Sequence, residues 1–86
     1  MLDKSYFNIV LKGEYDVTVQ SKNTGHFWYI HNSEFPGEDA FVIFHKHRAS
    51  HPYHQHGKAR NLRQAVSKIK GHDMFQMNGR RQSWHI

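Results

Sequence analysis

The sequence predicts an α+β fold, in which one C-terminal helix packs on one face of a small antiparallel sheet of three or four strands. Short segments rich in β-branched and aromatic residues fill the first half of the 86-residue chain, which favours strands. The connections between these segments are too short for a parallel crossover, so the strands are expected to form a meander. One stretch with helical spacing of apolar residues follows in the second half.

The predicted strands cover about residues 6–11, 15–20, 27–31 and 41–47. Lys12-Gly13 predicts a tight hairpin turn between the first two strands, because glycine tolerates the positive φ that a two-residue loop demands. Residues 23–25, with the sequence Asn-Thr-Gly, predict the second turn. Pro36-Gly37 suits the central positions of a type II turn before the fourth strand.

The helix is predicted over residues 62–70. Apolar side chains recur there at the i, i+3, i+4 and i+7 positions of one helical face: Leu62, Ala65, Val66 and Ile69. Asn61 is the expected N-cap, with Gln64 at the N3 position of a variant capping box. Gly71 is expected to end the helix as a left-handed C′ residue, and a short further strand is predicted around residues 74–77.

A lone helix covers only one face of a sheet, so the other face needs an explanation. Along the third strand Phe27 and Tyr29 alternate with Trp28 and Ile30, which gives both faces aromatic side chains. The sequence leaves open which face the helix covers. The uncovered face is expected to bind a partner, or to pair with a second copy in a homodimer, because exposed apolar patches usually mark binding sites.

The composition excludes several classes of protein. The chain has no cysteine, which excludes disulfides and thiolate chemistry. No apolar run approaches the roughly 18 to 20 residues of a membrane span, and the N-terminus lacks a secretory signal, so a cytoplasmic protein without a membrane partner is expected. The six glycines are scattered singly and form no phosphate-binding loop. No cofactor is predicted.

Charge is divided unequally between the two halves of the chain. Residues 1–45 carry three Lys or Arg and six Asp or Glu, a net charge of −3. Residues 46–86 carry nine Lys or Arg against Asp73 alone, a net charge of +8, and seven of the nine histidines lie at or after His45. The strongly basic second half predicts a polyanionic partner. We therefore expect a small, non-catalytic accessory protein that binds nucleic acid, either DNA or RNA. The acidic half leaves open an alternative, a protein-interaction module that uses this charge segregation.

The predicted nucleic-acid contacts lie in the histidine-rich segment, on the helix and in residues 78–86, which are expected to form a loose tail. Cations interleaved with aromatic rings are typical of sequence-tolerant nucleic-acid binding. The predicted contact residues are Lys46, His47, Arg48, Tyr53, His54, His56, Lys58, Arg60, Arg63, Lys70, Arg80 and Arg81.

Five histidines between residues 45 and 56 support two further hypotheses. In the first, a metal ion is bound by four imidazoles: His45, His47, His51 and His54. The absence of acidic residues near this segment and its many cations argue against such a site, so no metal is predicted. In the second, His54 and His56 act as general acid and base of a nuclease, with Lys58 or Arg60 holding the phosphate.

Overall fold

The structure is a computed structural model that describes residues 2–33, 37 and 39–77. These residues form one antiparallel sheet in the strand order β1-β2-β3-β4-β5, followed by one helix. The elements are β1 (Phe7–Lys12), β2 (Asp16–Ser21), β3 (Phe27–Asn32), β4 (Phe41–Lys46), β5 (His54–Ala59) and α1 (Leu62–Met77). The antiparallel meander with a C-terminal helix is therefore confirmed, but the sheet has five strands rather than three or four.

The additional strand is β5, in the histidine-rich segment, where the sequence predicted no strand. It pairs with β4 along its length, with a bulge opposite the step from Ile43 to Phe44. Its sequence, HQHGKA, contains no β-branched or large aromatic residue, so propensity and alternation give no signal of a strand. Hydrogen bonding to β4 selects the extended conformation here.

The first hairpin differs from its prediction in both length and physical cause. The loop between β1 and β2 contains residues 13–15, and the Gly13 N–H donates to the Asp16 carbonyl oxygen at 2.8 Å. Gly13 is not one of the described glycines with positive φ. A Cβ atom at this position would collide with the Asp16 carboxylate. Glycine at this position therefore leaves room for the Asp16 carboxylate, rather than supplying a positive φ.

Two other glycines do adopt positive φ. Gly25 has a φ of 78°, which agrees with the turn predicted over residues 23–25. Gly37 has a φ of 126°, but Pro36 lies outside the described residues, so the predicted type II turn is not tested.

The helix begins where it was predicted and ends six residues after Gly71. The Asn61 Oδ1 accepts a hydrogen bond from the Gln64 N–H at 2.8 Å, and the Gln64 Oε1 accepts one from the Arg60 N–H at 2.7 Å. Gly71 is helical and exposed, so it does not cap α1. The predicted strand at residues 74–77 is wrong, because these residues form the last turn of α1. The predicted tail, residues 78–86, lies outside the described residues.

Helix α1 packs against β4 and β5 and covers one face of the sheet, which we call the inner face. The inner-face core consists of Phe7, Val17, Val19, Trp28, Ile30, Ile43 and Ala59, with Ala65 and Ile69 from the helix. The alanines at 59 and 65 are fully buried, and their small side chains allow α1 to approach β5 closely. No helix in the described part of the chain has the length and apolarity needed to cross a bilayer.

Candidate functional site

The face of the sheet opposite α1, which we call the outer face, carries a group of rings that we call the aromatic platform. Its members are Phe27 and Tyr29 on β3, Phe44 on β4, and Tyr53 just before β5, all of them half-buried. The Tyr29 ring centroid lies 5.7 Å from that of Phe44 and 6.1 Å from that of Tyr53. Because side chains alternate along a strand, burying Trp28 and the other inner-face residues places these rings on the opposite side.

Lys46 brings a positive charge to the aromatic platform. Its Nζ lies 4.4 Å from the Tyr53 ring centroid and 5.5 Å from that of Phe27, and it donates a hydrogen bond to the Ala49 carbonyl oxygen at 3.0 Å. These contacts hold the ammonium group over the two rings by cation–π attraction. A planar apolar ligand and an anion can therefore be bound side by side at this position.

Asp16 marks the other end of the platform. The Tyr29 hydroxyl donates to the Asp16 Oδ2 at 2.8 Å, and this hydrogen bond, together with burial, raises the pKa of Tyr29. The phenol remains protonated at neutral pH and orients the carboxylate. An anion is repelled at this β2 end and attracted at the β4–β5 end.

The structure distributes the predicted nucleic-acid contacts over several surfaces. Lys46, Tyr53 and Lys58 lie on the outer face, with Lys58 in register with Val42 and 3.8 Å from the Asp39 carboxylate. Three arginines are exposed elsewhere, in the loop after β4 and at the start of α1: Arg48, Arg60 and Arg63.

The remaining predicted contacts lie away from the aromatic platform. The histidines His47, His54 and His56 belong to a cluster on the inner side of the sheet. Lys70 lies near the N-terminus, where its Nζ is 3.4 Å from the Asp3 Oδ2 and 4.9 Å from the Tyr6 ring centroid. Arg80 and Arg81 lie outside the described residues. Within the described part of the chain, the second-half cations therefore lie on both sides of the sheet.

The second notable group is the histidine cluster, formed by imidazoles from the β2–β3 turn, β4 and its end, β5 and α1. Its members are His26, His45, His47, His54, His56 and His72. His45 is its centre: only 2% of this residue is exposed, and its ring stacks on the Trp28 indole with centroids 4.0 Å apart. The His45 Nε2 lies 3.1 Å from the His26 Nδ1.

Three of these histidines bring ring nitrogens together. His26, His45 and His72 each offer one nitrogen, and the three atoms all lie within 4.8 Å of one another. Burial first, and then the charges of neighbouring histidines with His72 foremost, together lower the pKa of His45 to about 3. Burial and His72 also lower the pKa of His56. At neutral pH His45 is therefore neutral, and its ring offers a lone pair rather than a positive charge.

The histidines brought together differ from the predicted metal set. Of that set, His45 alone belongs to the close group, while His47 stacks on His26 at 4.2 Å and His51 is exposed in the loop after β4. The sequence reasoning missed His26 and His72 because they come from a turn and a helix that are distant along the chain. Nothing in the local spacing relates these two residues.

The predicted catalytic alternative is also rearranged by the fold. His54 pairs with His45 on the inner side of β5, and His56 contacts His45 and His72, whereas Lys58 lies on the outer face. The cation whose charge affects His56 is Lys68 of the helix. The sheet thus separates Lys58 from His54 and His56, while the other predicted cation, Arg60, is exposed just before α1, and the nuclease hypothesis stays a prediction.

A buried carboxylate lies beside the histidine cluster. Asp73 has no exposed surface and accepts hydrogen bonds from the Tyr6 hydroxyl at 2.7 Å, from the Ser21 hydroxyl and from the Thr24 hydroxyl at 3.1 Å. Burial and the bond to Asp73 raise the pKa of Tyr6 to about 12. Three donors compensate the loss of water around the carboxylate. This network ties α1 to β2, to the β2–β3 turn and to the N-terminal segment.

Comparisons of this chain with protein-family models, curated proteins and solved structures gave no significant match.

Proposed function

We propose that the protein is a non-catalytic nucleic-acid-binding protein that holds single-stranded DNA or RNA on the outer face of its sheet. The observation that carries this proposal is the position of Lys46, whose ammonium group lies over both Tyr53 and Phe27 in the aromatic platform. Base stacking on a ring and neutralisation of a phosphate by an adjacent cation are the two interactions that such ligands require.

A single strand suits this face better than a duplex. The platform presents rings on a half-buried sheet surface, and bases reach such rings only when they are unstacked from one another, as in a single strand. Stacking is tolerant of sequence because every base has a π-face. We therefore expect binding with little base preference.

The positions of the charges favour one path for the bound nucleic acid on the outer face. Lys46 and Lys58 attract phosphates at the β4–β5 end, while Asp16 repels them at the β2 end. The Lys58–Asp39 ion pair is exposed and 3.8 Å long, so it contributes little in water and phosphate can replace Asp39. The strand is therefore expected to run along β4 and β5.

The test is fluorescence anisotropy with labelled oligo-dT and oligo-U. Tyr53→Ala should weaken binding by about 5- to 150-fold, since one base–ring stack contributes about 1–3 kcal/mol. Lys46→Ala should weaken it and reduce the log–log salt slope by about 0.7, the value for one phosphate contact to a single strand. Tyr15→Ala and Lys12→Ala are matched controls on the exposed first hairpin and should leave the affinity unchanged.

Two outcomes would contradict the proposal. Binding that is equally sensitive to the hairpin controls would show unspecific attraction to a basic protein. Absence of binding, with a concentration-dependent dimer in sedimentation velocity that Tyr53→Ala dissociates, would show instead that the outer face pairs with a second copy.

A further inference from the structure

We propose that His26, His45 and His72 form a binding site for one divalent transition-metal ion, with zinc as the expected occupant. The three histidines come from the β2–β3 turn, from β4 and from α1, and their ligand nitrogens lie within 4.8 Å of one another. This site is on the inner side of the sheet and is independent of the aromatic platform.

The distances are close to those of a tetrahedral site. Zinc–nitrogen bonds of about 2.0–2.1 Å at tetrahedral angles place two ligand nitrogens about 3.3 Å apart. The His26 Nδ1 and the His45 Nε2 are already 3.1 Å apart. His72 extends from the helix with its ring centroid 4.9 Å from that of His45. The ligand nitrogen of His72 lies within 4.8 Å of the other two, so its side chain must bring this atom in to about 3.3 Å to complete a three-nitrogen site.

Asp73 links the two backbone segments that carry His26 and His72. The Thr24 hydroxyl donates a hydrogen bond to the Asp73 Oδ1 at 3.1 Å and accepts one from the backbone N–H of His26 at 3.2 Å. Asp73 directly follows His72 in α1. The buried carboxylate thus links the turn that carries His26 to the helix that carries His72, as the supporting groups of built metal sites do.

The central ligand is held by its surroundings. His45 is buried and stacked on Trp28, which also contacts the ring of His72 edge-on at 5.5 Å. Three protein nitrogens leave one tetrahedral position for water or an anion. The buried Trp28 Nε1–H has no hydrogen-bond acceptor among the described residues, so this ring also brings an unused donor to the neighbourhood of the site.

The donor set selects the class of metal. Imidazole nitrogens favour zinc, copper and nickel, whereas magnesium and calcium require oxygen ligands. Among the described residues, the rings packed against His45 are those of Trp28 and of other histidines.

The experiment uses the full chain, purified without an affinity tag and stripped with a chelator. Titration with Zn²⁺ against a chromophoric competitor, together with native mass spectrometry, should show one tightly bound zinc ion per chain. His26→Gln and His72→Gln should each weaken binding by about 100-fold or more, because each removes one of three ligands. His51→Gln is the matched control, because His51 is exposed in the loop after β4 and lies outside the histidine cluster, and this variant should bind zinc as the wild type does.

A second measurement needs no substitution and so does not depend on the folding of a variant. Long-range ¹H–¹⁵N spectra of the wild-type protein should show zinc-dependent shifts of the ring nitrogens of His26, His45 and His72. Shifts confined to the exposed His51 and His54, full affinity in the His26→Gln/His72→Gln double variant, or no stoichiometric zinc would overturn the proposal. Any of these results leaves the nucleic-acid proposal intact, since that proposal depends on the outer face.

Discussion

The inner and outer faces of the sheet are made by the same strands and are both aromatic, yet they differ in exposure. On β3, Trp28 has no exposed surface, while its neighbours Phe27 and Tyr29 on the other face are half-buried. Helix α1 makes the difference, because it removes one face from water and leaves the other open. We conclude that the aromatic content of a strand does not reveal its role. The covered face stabilises the fold, and the open face is available for binding.

The largest expected effect comes from truncating neighbouring aromatic residues on the two faces. Trp28→Ala should lower the free energy of unfolding by about 3–5 kcal/mol, because it leaves a cavity between β3, β4 and α1. Tyr29→Ala should cost no more than about 1.5 kcal/mol, since the outer face remains in contact with water. Urea denaturation of the two variants measures the difference. Equal costs would show that the outer face is part of the core.

An intermediate effect on stability is expected from replacing the two carboxylates that accept hydrogen bonds from tyrosine hydroxyls. Asp73→Ala should lower stability by about 2–3 kcal/mol, because Ser21 is fully buried and loses its hydrogen-bond acceptor along with Tyr6 and Thr24. Asp16→Ala on the outer face should cost less than about 1 kcal/mol, because the Tyr29 hydroxyl can bond to water.

Thermal denaturation of the Asp73→Ala and Asp16→Ala variants, followed by circular dichroism, tests this ranking. A larger loss for Asp16→Ala would reverse the assignment of the stabilising face.

The smallest effect concerns the helix that covers the inner face. Gly71→Ala should stabilise the protein by about 0.5–1 kcal/mol, because alanine is the better helix former and its Cβ would meet no atom within 4 Å. A gain of a few degrees in Tm is expected, with unchanged oligonucleotide affinity. Gly25→Ala is the control, and it should destabilise the protein because Gly25 has a φ of 78°. A loss of stability in Gly71→Ala would contradict a continuous helix through this residue.

Local signals predicted those elements whose stabilising contacts are also local. The N-cap Asn61 and its partner Gln64 are confirmed because both belong to one turn of the chain. The predicted end of the helix was wrong. The last buried position of α1 is Asp73, a charged residue whose burial is stabilised by three hydroxyl donors from other parts of the chain. Hydrophobic periodicity cannot anticipate a polar residue in the core.

The two candidate sites also differ in how far the sequence could predict them. Tyr53 and Lys46 were both among the twelve predicted nucleic-acid contacts, and the fold places the Lys46 ammonium over the Tyr53 ring, although nucleic-acid binding itself stays a prediction. The partners of His45 were not predictable, because His26 and His72 lie 19 residues before it and 27 residues after it in the chain. Only the pairing of strands and the packing of α1 bring such distant nitrogens together.

Alternation, turn chemistry and charge in the amino-acid chain were sufficient for the meander, the start of the helix and the basic second half. Packing decided the remainder: which face of the sheet is covered, that HQHGKA is a strand, and which histidines meet. The physical reason is the range of the forces involved. Propensity and periodicity act over a few residues, whereas burial and hydrogen bonding depend on neighbours that only the folded chain supplies.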